Sequence, residues 1–214
     1  MKKSTVEEIR TRFDGDVARF SNLETGQVTT IDAQISLELI TEAAKRIAPR
    51  AKNLLDVGCG AGTYCLMMLK KLPGLNCTLV DLSEPMLQKA HERVSVQSSG
   101  LVETVQGDIR QVKLKKNHFD IILAGAVLHH LRDDSDWEAT FAKLFSLLKP
   151  GGCLMIADLV AQDTSVLSDY TWQRYGEYLK GIGGEAYQQK VLDYIEKEDS
   201  PRSVNYQIDL MKKT

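Results

Sequence analysis

The chain has 214 residues, of which 43% are hydrophobic and 26% are charged. These values are typical of a globular protein and exclude a disordered or collagen-like chain. The 27 Lys and Arg residues nearly balance the 29 Asp and Glu residues, giving a formal net charge of -2. Because no overall field attracts a phosphate backbone or an anionic membrane, we expect neither a nucleic-acid partner nor membrane association. The length predicts one domain with a small appendage.

The cysteines and the first residues bear on cellular location. Cys59, Cys65, Cys77 and Cys153 form no C-x-x-C pair, and none lies near a histidine at zinc-site spacing. We therefore expect buried, reduced thiols, no metal site and a cytoplasmic protein. The segment Ser4–Arg12 is charged where a signal peptide would be apolar, so no secretory leader is expected.

Five short apolar runs predict strands, and longer amphipathic segments between them predict helices. The strand candidates are Asn53–Val57, Asn76–Val80, Leu101–Gln106, Phe119–Ala124 and Cys153–Asp158. This alternation predicts an α/β fold, with a doubly wound, mainly parallel sheet and helices on both faces. In such a sheet, ligands bind at the carboxyl ends of the strands.

One helix is predicted before the first strand and another after the second strand. Apolar residues recur every four positions before the first strand, namely Ile35, Leu39, Ala43 and Ile47. After the second strand, Ser83 followed by Glu84 and Pro85 is typical of a helix start.

A third helix is indicated before the fifth strand. Ser135 and Glu138 predict a capping box at its start. Its buried face is predicted to consist of Trp137, Phe141, Leu144, Phe145 and Leu148. The sequence Pro150-Gly151-Gly152 is expected to stop this helix and turn the chain into the next strand.

A glycine-rich turn and an acidic residue follow the first two strands. Gly58, Gly60 and Gly62 alternate with other residues, so this turn can adopt positive φ and admit a ligand close to its backbone. Asp81 lies about 20 residues further on, where an acidic side chain can accept hydrogen bonds from two ribose hydroxyls. Asp81 could also help to cap the helix that begins near Ser83, and the two roles are compatible.

Five ordered blocks together resemble the class I S-adenosylmethionine-dependent methyltransferases. They are Leu54–Gly62, Leu79–Asp81, Gly107–Ile109, Phe119–Leu131 and Leu147–Asp158, and they span about half of the chain. The resemblance implies a Rossmann-like methyltransferase fold, S-adenosyl-L-methionine as the cofactor and a small-molecule methyl acceptor.

The resemblance also implies which residues bind the methionine part of the cofactor. The loop that begins at Asp56 and contains Gly58 and Gly60 would pass under this part. Asp56 and the backbone around Gly58 would lie near the cofactor's amino group. The backbone of Ala124, at the end of the fourth strand, would meet the same amino-acid end.

Five further residues are implied for the adenosine part. Asp81 would hold the ribose, with Leu82 and Met86 on either side of the adenine. Asp108 and the backbone of Ile109 would contact the adenine edge.

Other nucleotide-binding families fit less well. A nicotinamide dehydrogenase would carry G-x-G-x-x-G, whereas this chain carries G-x-G-x-G. No Gly-Lys-Ser/Thr occurs, so a P-loop is excluded. Two alternatives to a small-molecule methyltransferase remain open. One is a cofactor-modifying or tRNA wobble-pathway relative, and the other is a non-catalytic cofactor-binding module.

No catalytic residue is assigned, because positioning of the acceptor can drive methyl transfer without a base. His129 and His130 follow the fourth strand on the cofactor side and could approach an acceptor. Alternatively, they pack or hydrogen-bond at the start of a helical turn.

Aromatic residues in two segments are expected to cover the site. The first segment, residues 4–34, contains Phe13, Phe20 and the loop Asn22–Thr30. The second, residues 162–182, contains Tyr170, Trp172, Tyr175 and Tyr178. These aromatic side chains could wall an apolar acceptor pocket or anchor a lid.

Three regions are expected: a helical cap with the first sheet-covering helix (1–50), a cofactor-binding core (51–160) and a helical lid (161–214). The family's closing C-terminal hairpin is missing from the pattern, and Val204, Ile208 and Met211 predict a helix instead. The fifth strand would then be an edge, covered by the C-terminal helices, by a partner chain in a possible homodimer, or imperfectly.

Overall fold

The structure is a computed structural model that describes residues 3–22 and 26–213. Its strands are β1 (Asn53–Val57), β2 (Asn76–Asp81), β3 (Val102–Gln106), β4 (Phe119–Gly125) and β5 (Leu148–Ala157). All neighbouring strands pair in parallel, in the order β3-β2-β1-β4-β5. The predicted doubly wound parallel sheet is confirmed.

Helices cover both faces of this sheet. They are α1 (Val6–Gly15), α2 (Val17–Phe20), α3 (Ala33–Ile47), α4 (Thr63–Lys71), α5 (Glu84–Gln97), α6 (Asp134–Leu147), α7 (Ser165–Glu198) and α8 (Val204–Lys213). Helix α7 is interrupted at Gly183 and Gly184, where the backbone leaves helical geometry. Within the described residues, no helix combines the length and the apolar character needed to cross a membrane.

The apolar core is divided by the sheet into two layers. Leu54 of β1 packs with residues of α3, α4 and α5, whereas its neighbour Leu55 packs with residues of α6 on the opposite face. Because both faces are covered, the inner strands are nearly continuous in apolar residues. The four cysteines are free and buried, as predicted.

The start of β5 differs from the prediction. The strand begins at Leu148, which pairs with Phe119 of β4 directly after α6. The register then shifts, and Gly151 has a φ of 80°. Regular pairing resumes at Cys153, where the sequence places the strand's start. The Pro150-Gly151-Gly152 turn is thus an irregularity inside the strand, because pairing with β4 already begins before it.

The two predicted helix caps have opposite outcomes. The Ser83 hydroxyl accepts a hydrogen bond from the Met86 N–H at 3.3 Å, so this cap is confirmed. The capping box at Ser135 is wrong, because α6 begins earlier and Asp133 is its cap. The Asp133 carboxylate accepts the Asp136 N–H at 3.0 Å, and Ser135 donates its hydroxyl to Asp133 at 2.6 Å.

The apolar repeat that predicts α3 and the predicted buried face of α6 are both partly exposed. Helix α3 is present, but Leu39 is 64% exposed and Ile35 and Ile47 are also exposed, whereas Leu37 is buried. A spacing of exactly four residues drifts by about 40° per step around a helix, so such a stripe does not stay on one face. Phe145 of α6 is 57% exposed for a similar reason.

The first residues of the described chain lie against the end of α7. The Ser4 N–H donates to the Lys197 carbonyl at 3.2 Å. Its buried hydroxyl donates to Glu198 at 2.6 Å, and Arg132 donates to the Ser4 carbonyl at 2.8 Å. Segments that are almost 200 positions apart in sequence are therefore in direct contact.

The outer edge of β5 pairs with no other strand in the described part of the chain, apart from an isolated bridge between Ala161 and Ser203 nearby. The predicted helix over Val204, Ile208 and Met211 is present as α8. It packs against α6 through the buried Leu210, and the predicted stripe remains largely exposed. Among the described residues, the edge is covered imperfectly.

Candidate functional site

A cavity of about 1470 Å³ lies at the carboxyl ends of the strands, where the fold predicts a ligand site. Residues that follow β1, β2, β3 and β4 line its floor, and residues of α1, α2 and α7 form its walls. Ligand pockets commonly enclose about 300–1,000 Å³, so this cavity has room for two small molecules side by side.

Most of the predicted site residues meet at this cavity. Those that line it are Gly58, Gly60, Asp81, Leu82, Met86, Asp108 and Ile109. Asp56 and Ala124 do not line it and are fully buried in the sheet.

Asp56 is directed toward helix α4. Its carboxylate accepts the Cys65 N–H at 3.1 Å, in the first turn of α4. Burial raises the pKa of Asp56 to about 7, despite the hydrogen bond from Cys65, and the nearby Asp81 charge adds to the increase. Asp56 therefore connects the end of β1 to the start of α4, on either side of the glycine-rich turn.

The three glycines of this turn all have positive φ, at 62°, 50° and 81° for Gly58, Gly60 and Gly62. A Cβ at Gly58 would lie 2.3 Å from Cγ2 of Val127, so a protein side chain explains the need for glycine there. A Cβ at Gly60 would meet no atom within 4 Å, so the backbone at Gly60 is open to the cavity.

We expect Gly58→Ala to lower the free energy of unfolding by about 1–3 kcal/mol, because of backbone strain and overpacking. Urea denaturation would measure it. The double variant with Val127→Ala should recover part of the loss, since it removes the clash with Val127. Gly74→Ala is the control, because a Cβ there has ample space. Equal stability of Gly58→Ala and Gly74→Ala would contradict this account.

Asp81 connects the glycine-rich turn to helix α5. One carboxylate oxygen accepts the Gly60 N–H at 2.8 Å, and the other accepts the Ser83 N–H at 2.9 Å. Burial raises the pKa of Asp81, although these hydrogen bonds oppose the increase. Each carboxylate oxygen can accept a second hydrogen bond, so Asp81 can support the turn and bind hydroxyls of a ligand together.

Asp108 forms an ion pair with Arg110, which the sequence analysis missed. The Arg110 Nε lies 2.9 and 3.0 Å from the two Asp108 oxygens, and another guanidinium nitrogen contacts Asp136 at 2.5 Å. Burial would raise the pKa of Asp108, but Arg110 outweighs burial and lowers it. The cavity therefore presents a carboxylate–guanidinium pair, for which the close Asp-x-Arg spacing was the available signal.

The turn after β4 contains a strained residue at the cavity wall. Ala126 has a φ of 52°, in the left-handed region that alanine rarely adopts, and its N–H donates to the Ala157 carbonyl at 2.8 Å. A Cβ at the preceding Gly125 would lie 2.5 Å from the Tyr64 ring. Such strain persists only where the surroundings enforce it, and it is common at functional sites.

The two histidines lie in a buried polar cluster on the same wall. Asp158 binds Nδ1 of His129 and accepts the Leu128 N–H at 2.7 Å. Burial would lower the pKa of His129, but Asp158 outweighs burial and raises it. Asp199 lies 3.7 Å from Nε2 of His129 and 3.3 Å from Nδ1 of His130. The histidines both line the cavity and contact carboxylates, and sequence spacing gave no sign of Asp199.

Aromatic side chains form part of the upper wall. Phe13 and Phe20 are in contact, with ring centroids 5.5 Å apart. Both line the cavity, as do Trp172 and Tyr175, whereas Tyr170 is exposed. Four of the predicted aromatic residues are thus placed where they can contact an acceptor.

Two tyrosines of α7 also hold the N-terminal segment. The Tyr175 hydroxyl donates to the Thr29 carbonyl and the Tyr178 hydroxyl to the Val28 carbonyl, each at 2.9 Å. Residues 23–25 of the predicted covering loop lie outside the described residues. The aromatic residues of α7 therefore both line the cavity and hold the N-terminal segment over it.

The chain is similar in sequence to known methyltransferases. A family model described as a methyltransferase domain matches residues 54–152. A malonyl-[acyl-carrier protein] O-methyltransferase of Halalkalibacterium halodurans is 31% identical over 79% of this chain and 60% of its own. A demethylmenaquinone methyltransferase of Listeria monocytogenes is 27% identical over 72% of this chain and 63% of its own. The chain thus spans somewhat under two thirds of the length of these relatives.

A solved structure gives the same fold. The N-methyltransferase NodS from Bradyrhizobium japonicum, in complex with S-adenosyl-L-homocysteine, matches with a TM-score of 0.57 at 19% identity. The match covers 69% of this chain and 71% of that protein. Residues 54–152 therefore form a methyltransferase domain, and the chain is similar to class I S-adenosylmethionine-dependent methyltransferases.

Proposed function

We propose that this chain binds S-adenosyl-L-methionine in the cavity and transfers the methyl group to a small-molecule acceptor. The observation that carries this proposal is the contact between Gly60 and Asp81. It places an open backbone beside a carboxylate that can still accept hydrogen bonds. A nucleoside with a charged tail needs both features.

The residues on the cavity floor fit this cofactor. Asp81 is suited to the ribose hydroxyls, and the apolar Met86 and Leu82 side chains beside it are suited to a purine ring. The Asp108–Arg110 pair offers acceptors and donors for the edge of that ring. The open backbone of Gly60 is suited to the amino-acid part.

The chemistry asks little of the protein beyond positioning. The cofactor supplies the methyl carbon and the sulfonium leaving group. The protein must hold the acceptor atom about 3–3.5 Å from that carbon and in line with the breaking bond. The walls that bear Phe13, Tyr175 and His129 are placed to orient an acceptor.

The walls favour a small acceptor with a substantial apolar part. Phe13, Phe20, Trp172 and Tyr175 present aromatic surface to the cavity. The near-neutral charge of the chain argues against a nucleic-acid substrate. The relatives named above act, by their names, on a malonyl-acyl carrier protein and on demethylmenaquinone, and both names are compatible with such a wall.

Cofactor binding can be tested with Asp81→Ala. We expect affinity for S-adenosyl-L-methionine, measured by calorimetry, to fall by about 10- to 100-fold, since each lost hydrogen bond to a charged group is worth about 1.5–3 kcal/mol. Asp120→Ala is the matched control. Asp120 also accepts two backbone N–H groups, from Lys52 and Asn53, but at the opposite end of the sheet.

The two variants separate binding from stability. Asp120→Ala should lose stability and keep cofactor affinity, because Asp120 does not line the cavity. Unchanged affinity in Asp81→Ala, or an equal loss in both variants, would remove Asp81 from the site.

Turnover requires its own measurement. We expect the protein to release S-adenosyl-L-homocysteine when incubated with the cofactor and a bacterial metabolite extract, as detected by mass spectrometry. Binding without release across fractionated extracts would instead favour a non-catalytic cofactor-binding module.

We also propose a cytoplasmic location and self-association as a homodimer. The four buried, unpaired thiols support a reducing compartment. Ile35 and Ile47 of α3 are exposed apolar side chains outside the cavity that a second copy could cover.

A further inference from the structure

Three side chains meet on the cavity wall beside the predicted acceptor position. One nitrogen of His129, one nitrogen of His130 and one carboxylate oxygen of Asp199 lie within 4.8 Å of one another. The Asp199 oxygen is 3.7 Å from one imidazole nitrogen and 3.3 Å from the other. In a tetrahedral site with bonds of about 2.0–2.2 Å, neighbouring ligand atoms lie about 3.3–3.6 Å apart.

Two of these atoms lack hydrogen bonds. Among the described residues, neither Nδ1 of His130 nor Oδ1 of Asp199 has a hydrogen-bond partner, although both are buried. The Asp199 side chain is only 3% exposed. Leaving buried polar atoms unsatisfied costs about 1–3 kcal/mol for each group, and more for a charged one. A single bound cation would satisfy both atoms.

The third atom, Nε2 of His129, is oriented by a neighbouring carboxylate. Asp158 binds Nδ1 of His129, which leaves Nε2 of that ring toward Asp199. The same carboxylate is fixed by main-chain N–H groups of Leu128 and His129, at 2.7 and 3.2 Å. A carboxylate behind an imidazole, holding its free nitrogen in place, is the usual arrangement around metal-binding histidines.

Two cationic side chains, Arg12 and Lys3, lie near the cluster. The Arg12 guanidinium lies over the Phe13 ring at 4.2 Å and 3.9 Å from Glu198. Lys3 donates to main-chain carbonyls, including that of Asp199. The side-chain carboxylate of Asp199 therefore faces the two imidazoles.

We propose that His129, His130 and Asp199 form a binding site for a divalent transition-metal ion, with Zn²⁺ the best suited. Two imidazoles and a carboxylate are a ligand set that Zn²⁺ accepts readily. Because all three residues line the cavity, a fourth coordination position is accessible to water or to an oxygen of an acceptor. The inference does not depend on methyl transfer.

The sequence predicts no metal site, because the spacing of these residues along the chain does not indicate one. The proposed ligands belong to the turn after β4 and to the residue that follows α7, and the fold alone brings them together.

The test uses the whole chain after removal of metals with a chelator. Titration with Zn²⁺ in a calorimeter should give one equivalent, and Co²⁺ should produce the visible absorption bands of a tetrahedral site. We expect Asp158→Asn to weaken Zn²⁺ binding by about 10- to 100-fold, and Asp199→Asn and His130→Gln to weaken it further. His91→Gln is the control, because this histidine is exposed on α5.

Circular dichroism would establish that each variant is folded, and any two folded variants at the site suffice. The test measures Zn²⁺ binding and not cofactor binding or methyl transfer. Its outcome therefore does not depend on whether the proposed function is correct. Absence of Zn²⁺ binding to the wild-type chain would overturn the proposal. Equal Zn²⁺ affinity in the wild type, the site variants and His91→Gln would overturn it as well, because the ion would then bind elsewhere.

Discussion

Asp56→Asn should make the stability of this protein much less dependent on pH. The Asp56 carboxyl has a pKa of about 7 in the folded chain, raised from 3.8 by burial. Below pH 3.8 both the folded and the unfolded chain hold the proton. Between pH 3.8 and 7 the unfolded chain loses it first, so this group lowers the free energy of unfolding as pH rises. The loss reaches as much as about 4 kcal/mol above pH 7.

Urea denaturation of both proteins between pH 5 and 8 would measure the effect. The difference in free energy of unfolding between Asp56→Asn and wild type should grow in favour of the variant as pH rises. Asp120→Asn is the control, because its difference from the wild type should not change with pH in this range. Although burial opposes it, Lys149 lowers the pKa of Asp120, so Asp120 stays ionised across this range. A pH-independent difference for Asp56→Asn would mean that Asp56 is ionised in the folded chain.

Trp137→Ala should lower the free energy of unfolding by about 3–5 kcal/mol, the usual cost of removing a large buried aromatic side chain. Trp137 is fully buried in the layer under α6. It contacts Phe141, with centroids 6.0 Å apart, and Tyr206 of α8 at 6.2 Å. Its indole nitrogen has no hydrogen-bond partner within the described residues, so the loss comes from packing.

Phe145→Ala on the same helix is the control. Phe145 is exposed, so its truncation should change the free energy of unfolding by about 0.5 kcal/mol or less. Circular dichroism in urea is the appropriate probe, because Trp137→Ala also removes a fluorophore. If the two variants lose similar amounts of free energy of unfolding, Trp137 and Phe145 share one buried face, as the sequence pattern predicts.

Local patterns were sufficient to predict the sheet. Asn53–Val57 is β1 with the predicted bounds, because a strand covered on both faces is largely apolar, as Leu54, Leu55 and Val57 are here. The Ser83 cap and the turn at Gly58–Gly62 were likewise readable, since each depends on residues a few positions apart. Parallel crossovers then bring the carboxyl ends of the strands together, and this placed most of the predicted site residues at one cavity.

The features that the sequence did not predict depend on contacts between segments that are far apart in the chain. Val127, rather than a ligand, occupies the space that requires glycine at position 58. Asp158 and Asp199 meet His129 only after β5 and α7 have packed. Ala126 adopts positive φ because its surroundings impose it, and nothing in the residue type announces that conformation.

The contact of Ser4 with Lys197 and Glu198 has a consequence for biosynthesis. During translation the N-terminal helices leave the ribosome first, at about 5–20 residues per second. Their docking partners at the end of α7 emerge only after all five strands have been made. The sheet can therefore assemble while its cleft is still uncovered. Contacts of such high sequence separation form late, because closing long loops is slow.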